Sequence, residues 1–127
     1  MKKKLIPKTG PKALGAYSPA IFSPPFIFVS GQIPVDPQTD LIVGSAAELT
    51  RHIMKNIEAI LNEAGAGLEN IVRTEIFLTD LQDAPEVNKA YAAFFPDGVF
   101  PARQMIQAAA LPKGATIEIS AIAVLFV

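Results

Sequence analysis

Cysteine is absent and histidine occurs once, as His52. Disulfide frameworks, thiolate nucleophiles and zinc fingers are excluded together, and metal chemistry has too few ligands to build on. Charge is also scarce. Only 18% of the 127 residues are charged and the net charge is −1, against roughly 25% charged in an average globular domain. A near-neutral chain has no broad electrostatic footprint for nucleic acid, because phosphate binding needs clustered lysine and arginine. The one basic cluster, Lys2 to Lys4, lies at the terminus, where fraying is the default, and reads as a solvated end. No apolar run approaches the ~20 residues of a membrane span. Pro7, Lys8 and Thr9 interrupt the start before a secretory core develops, so the expected location is the cytoplasm.

What the chain has in excess is apolar surface. Half of its residues are hydrophobic, more than one small domain needs, because small domains leave much of their surface exposed. The expected organisation is a single domain over residues 1–127 that hands its surplus to an oligomer contact.

Along the chain, β-rich segments flank "SPP", Ser23 to Pro25. This predicts a hairpin of "YSPAIF" and "FIFVSG", since proline cannot continue a ladder but presets a turn. The chain then bends at Pro34 to Asp40, and helical spacing starts after Gly44. Leu49, Ile53, Ile57, Leu61 and Ala64 share one face, Ser45 and Glu48 fit a capping box, and Gly65 suits a left-handed end. His52, Asn56 and Glu63 fall opposite, which makes the lone histidine a solvated residue.

"IVRTEIFLTD", Ile71 to Asp80, reads as a strand with Val72, Thr74, Ile76 and Leu78 on one side. A second capping box, Asp83 with Glu86, opens a helix with Pro85 in its first turn and a stripe of Ala84, Val87, Tyr91 and Phe94. Pro96 and Gly98 stop it. The last part predicts a hairpin, with one strand from Arg103 to Ala109 turning through Pro112 to Gly114 into a strand running to the C-terminus. From Ile119 onward both faces of that strand are apolar apart from Ser120, so one side should meet helices and the other another subunit. The expected fold is α+β, a mixed sheet with two main helices on one face.

With cysteine, metal and an apolar-set histidine gone, the candidates for chemistry are Tyr17, Ser18, Ser30, Asn88, Arg103 and Glu118. Several have a purely structural reading. Tyr17 and Ser18 can start a strand, Ser30 with Gly31 can make a bulge, and Asn88 can be a polar spot on a helix. Arg103 and Glu118 are harder to set aside, because a charge flanked by apolar neighbours must be paired, exposed or liganded. They either pair with each other, or the guanidinium serves as a planar two-pronged donor for a carboxylate. In the hairpin register that sets Glu118 against Gln107, Glu118 shares a face with Met105 and Arg103; this register is the one expected. Arg103 and Glu118 on opposite faces would end the shared-site idea.

The blocks "GAYSPAI", "VSGQIPVDPQT", "NIEAILNEAGAGLENIVRTEIFLTDL", "VNKAYAAFF", "PARQMI" and "LPKGATIEISAIA" run almost end to end, and with them the chain resembles the RidA/YjgF imine deaminases. The resemblance implies a chorismate mutase-like homotrimer with ligand sites in the clefts between subunits. It implies hydrolysis of reactive 2-imino acids, or their 2-aminoacrylate tautomers, to 2-keto acids and ammonia. Such imines leak from pyridoxal-phosphate enzymes such as threonine dehydratase. On matching positions, Arg103 becomes the carboxylate clamp, and Glu118 the residue that holds and activates water. Tyr17 closes the pocket, Ser30 and Gly31 line its wall, and Asn88 supports the cleft. No cofactor or metal is implied, since an imine needs a positioned water, a proton shuttle and a dry setting.

The chain also departs from the family pattern. Met105 stands where active members often have cysteine, which changes pocket volume and apolarity and makes Met105 a candidate substrate-binding residue. "GAYSPA" replaces "GPYSQA", Asp40 stands where glycine is common, and Leu49 replaces a frequent glutamine. Two other functions compete. One is a trimeric receptor that holds a small carboxylate without catalysis. The other, a nuclease or translation inhibitor, has been attached to this family, but here no aromatic residues interleave with basic ones to stack on bases.

Overall fold

The computed structural model describes residues 1–8, 13 and 15–125. Its lysine-rich start is not a loose end. Lys3–Leu5 forms β1, an edge strand antiparallel to β2 (Ala20–Ser23). Lys3 and Lys4 are exposed as expected, but Leu5 is buried and anchors the backbone that was expected to fray. β2 pairs with β3 (Phe26–Gln32) across the proline turn, the hairpin that the sequence predicts, although its first strand begins at Ala20 rather than Tyr17.

Helix α1 (Ala46–Asn62) opens with the expected capping box. Ser45 Oγ accepts from the Glu48 N–H at 3.2 Å, and Glu48 Oε1 accepts from the Ser45 N–H at 3.3 Å. Each satisfies an amide with no partner inside the helix. Gly65 takes φ 75° just beyond the end of the helix. Leu49, Ile53, Ile57 and Leu61 are buried, as are Thr50, Met54 and Ile60. That stripe is broader than its sequence spacing indicates, so its flank half-buries His52 and Asn56, which were expected on a solvated face.

β4 (Ile71–Leu78) directs Thr74, Ile76 and Leu78 inward. A bulge between Ile71 and Arg73 reverses the alternation at its start, so Ile71 is buried and Val72 exposed, against expectation. The expected capping box of α2 (Ala84–Ala92) is absent. A 3-10 turn, Leu81–Asp83, runs straight into the helix and holds Asp83 in helical conformation, so it cannot cap. Asp80 accepts from the Gln82 N–H instead, and Glu86 Oε2 accepts from the Ala47 N–H at 2.7 Å, tying α2 to the first turn of α1. Pro85 does occupy the first turn.

The predicted C-terminal hairpin does not form. β5 (Ala102–Gln107) pairs parallel with β4, and β6 (Ile117–Val124) pairs antiparallel with both β4 and β3. The sheet order is β1-β2-β3-β6-β4-β5. β6 lies in the middle of the sheet, where pairing on both edges satisfies its backbone and the side chains of neighbouring strands shield its own. Phe126 and Val127 of the predicted strand lie outside the described residues.

Both helices cover one face, making a mixed α+β fold. Ile27, Ile53, Ile57, Ile76 and Ile119 are fully buried between them and the sheet, each contributing roughly 1.5–3 kcal/mol. The other face carries Phe26 and Phe28, both exposed, with half-buried Phe77, Ile122 and Val124. Among the described residues no helix is long and apolar enough to cross a membrane.

Candidate active site

Residues opposite each other in a ladder project to the same face. Arg103 lies opposite Thr74, which points at the helices, whereas Glu118 lies opposite Phe77 on the uncovered face. The expected shared face is therefore wrong, and the idea that the two charges of one chain share a site ends with it. Because β4 separates β5 from β6, Glu118 does not face Gln107, and the register that would have joined the charges does not exist.

On the helix side, Arg103 sits at a cleft of about 310 Å³ lined by Asn88, Tyr91, Ala92, Phe100, Pro101 and Arg103 itself. α2 supplies Asn88 and, three residues later on the same side, Tyr91. The Arg103 guanidinium carbon lies 5.2 Å from the Tyr91 ring centroid, within range of cation–π attraction. Tyr91 is buried, and its hydroxyl is 2.8 Å from Thr74 Oγ1. Burial raises the pKa of that hydroxyl, opposed by the Thr74 hydrogen bond and the Arg103 charge. Phe95 packs on Tyr91 at 5.1 Å and edge-on to Phe100 at 6.2 Å. Arg103 has no carboxylate within ion-pair distance among the described residues, so the intrachain pair with Glu118 is not formed. Met105 shares this face opposite Ile76, but it packs half-buried on the core and is not part of the cleft lining.

On the uncovered side, Ser30 and Gly31 form a bulge, with Val29 opposite Ala121 and Gln32 opposite Ile119. The bulge expected for this pair is thus observed. Ser30 Oγ donates to the Ser18 carbonyl at 2.6 Å, and the Ser30 N–H donates to the Pro19 carbonyl at 2.9 Å. These bonds hold the segment after Tyr17 beside the bulge; Tyr17 itself is half exposed. A Cβ on Gly31 would come within 2.4 Å of Glu118 Oε2. Only glycine lets the carboxylate rest there, and burial among these neighbours raises the Glu118 pKa.

The structure thus keeps the candidate residues in two separate groups. One gathers Arg103 and Asn88, and the other gathers Ser30, Gly31 and Glu118, with Tyr17 next to it in sequence. Sequence reasoning missed Tyr91, Phe100 and Pro101 as lining residues. Tyr91 had been assigned wholly to the apolar stripe, although its spacing from Asn88 was a usable signal. An unpaired guanidinium on an apolar wall can take a planar anion, and a carboxylate with raised pKa can exchange a proton. Among the described residues no group of three or more His, Cys, Asp or Glu side chains could hold a metal ion.

Known proteins are similar to this chain over nearly its whole length. The 2-iminobutanoate/2-iminopropanoate deaminase of Rattus norvegicus is 43% identical over 125 residues, covering 98% of this chain and 90% of the rat protein. The crystal structure of a Yersinia pestis protein of the conserved Rid family, described as of unknown function, superposes with a TM-score of 0.93 at 40% identity, covering 98% of this chain and 100% of the other. That of E. coli TdcF with bound serine has a TM-score of 0.92 at 36% identity, covering 98% and 99%. A family model described as Endoribonuclease L-PSP matches residues 7–125, and the chain belongs to that family, the RidA/YjgF/RutC proteins.

Proposed function

We propose that this protein hydrolyses reactive 2-imino acids to 2-keto acids and ammonia, acting as a homotrimer whose sites lie between subunits. The observation that carries the reading is Arg103. It is a guanidinium without an acidic partner among the described residues, at an aromatic-walled cleft of the size of a small ligand. The rat relative's name supports the reaction class, and the serine bound to TdcF supports a small carboxylate as ligand. In one chain Arg103 and Glu118 lie on opposite faces of the sheet, so a site that uses both takes them from two copies. The uncovered apolar face supports such an assembly.

In this site Arg103 holds the substrate carboxylate, with Asn88 at the cleft wall. Tyr17 closes the opening, and Ser30 and Gly31 line the wall at Glu118. Met105, on the same face of β5 but outside the cleft lining, acts on the site only through the core it packs against. Glu118 takes a proton from water as the water oxygen adds to the imine carbon and returns it to nitrogen, giving a neutral tetrahedral carbinolamine. Glu118 then takes the carbinolamine hydroxyl proton as the keto group forms and delivers it to the nitrogen, so the C–N bond breaks and ammonia leaves. The protein supplies orientation and a dry setting.

The test is ammonia and keto acid release from 2-iminobutanoate and 2-iminopropanoate generated in situ. Acceleration over the spontaneous rate, lost in Arg103→Ala with the oligomer intact, is the expected result. Unchanged release by that variant would refute the role of Arg103. The separation of Glu118 from the Arg103 cleft within one chain favours a second reading, a carboxylate receptor without catalysis. Keto acid binding without acceleration would select it.

A further inference from the structure

Thr74 and Thr50 are the buried polar residues among those described. Thr50 spends its hydroxyl locally, donating to the Ala46 carbonyl one turn back in α1. Thr74 does not. It stands on β4 among inward-facing isoleucine and leucine, and its hydroxyl reaches seventeen residues along the chain to Tyr91 on α2, the one buried hydrogen bond between two side chains among the described residues. A core that needed only volume here would use valine against phenylalanine, since a buried polar pair offers little net gain over an apolar one of the same shape. The pair has a geometric consequence instead. Thr74 is the ladder partner of Arg103, so the bond fixes the Tyr91 ring directly over the strand position from which the guanidinium rises, while Phe95 braces the ring from behind.

We infer that Tyr91 is a positioning residue for Arg103: Thr74 sets the ring, and the ring face seats the guanidinium that receives the ligand carboxylate. An exposed arginine has many rotamers to lose on binding, and a seat formed before binding removes part of that ordering cost from each binding event. The inference rests on the reading of Arg103 as the carboxylate clamp.

The experiment measures 2-oxobutanoate binding by calorimetry, imine turnover, and the Arg103 Nε–H resonance. It compares the wild type with Tyr91→Leu, Tyr91→Phe and the isosteric double variant Thr74→Val/Tyr91→Phe. The leucine variant should bind about tenfold more weakly, with the loss falling on KM more than on kcat and the ring-current shift of the Arg103 resonance gone. The phenylalanine variants keep a π face but lose the bond that sets it, and should fall between the wild type and the leucine variant, binding about threefold more weakly than wild type. The double variant also guards against misfolding, because it leaves no orphaned hydroxyl. Wild-type affinity in the leucine variant, or an Arg103 resonance indifferent to residue 91, would overturn the inference while leaving the deaminase reading in place. Carboxylate binding that depends on the ring, in a protein that does not accelerate imine hydrolysis, would support the inference and remove the reaction. A wild type that binds no carboxylate would overturn both.

Discussion

The two faces of the sheet treat their charges in opposite ways. On the helix-covered face Arg103 is stabilised by an aromatic ring and keeps its donors available at a cleft. On the uncovered face Glu118 is pressed against a glycine bulge and held with a raised pKa by burial. In the proposed hydrolysis the first charge would hold the ligand carboxylate and the second would exchange a proton. A single chain places them on opposite faces of the sheet, so assembly is part of the proposed chemistry.

The largest expected effects test that division. Arg103→Ala and Glu118→Gln should each lower imine turnover by about 10³-fold, within the range that general acid–base and clamping groups contribute. The two inactive variants, unfolded and refolded together, should recover a measurable fraction of activity, because mixed oligomers pair an intact Arg103 with an intact Glu118. No recovery would break the two-chain site.

Gly31→Ala tests the uncovered face alone. Its Cβ would lie 2.4 Å from Glu118 Oε2 and 2.7 Å from Cδ, so the carboxylate must move. A drop in turnover of about 10- to 100-fold is expected, with a stability loss of only ~1 kcal/mol in urea melts because a side-chain tip can yield. A variant as active as wild type would detach the bulge from the chemistry.

The raised pKa of Glu118 gives a pH signature. The acid limb of kcat/KM should lie above the ordinary carboxylate range, since the ionised form accepts the proton, and the limb should vanish with the residual activity of Glu118→Gln. For stability the sign is reversed from the usual carboxylate case. The folded state holds this proton more tightly than the unfolded one, so stability falls as pH rises from the ordinary pKa through the raised one. Urea melts across that window should show a shallower decline in Glu118→Gln. A shared slope would place the shift elsewhere.

The smallest effect is expected away from both faces. Asp40 and Lys113 take φ 59° and 56° and form an ion pair that links two loops. Asp40→Gly relieves left-handed strain and loses an exposed pair worth 0–1 kcal/mol. Stability and turnover should change little, within ~0.5 kcal/mol by urea melts. The positive φ also explains how glycine suits this position.

Legibility followed the range of the forces involved. The Ser45–Glu48 box, the α1 stripe, the Pro24–Pro25 turn and the Ser30–Gly31 bulge were readable because each depends on residues a few positions apart. The α2 box failed because a preceding 3-10 turn took over Asp83 and a neighbouring helix took Glu86. The C-terminal hairpin failed for a related reason. "LPKG" has turn chemistry whether or not the strands beside it pair, and β5, mostly exposed, carries little alternation to choose a partner. The two apolar faces of β6 were the better clue, since strands at the centre of a sheet are the ones most shielded from water.

The sequence by itself determined the fold class and the residue types available for chemistry, because composition, periodicity and caps act locally, and its motif blocks carried the family resemblance. Which face each charge occupies was decided by the tertiary structure alone. Insertion of β6 between β3 and β4 is a long-range pairing, and the two-residue period of the strands then sent Arg103 to the helices and Glu118 away from them.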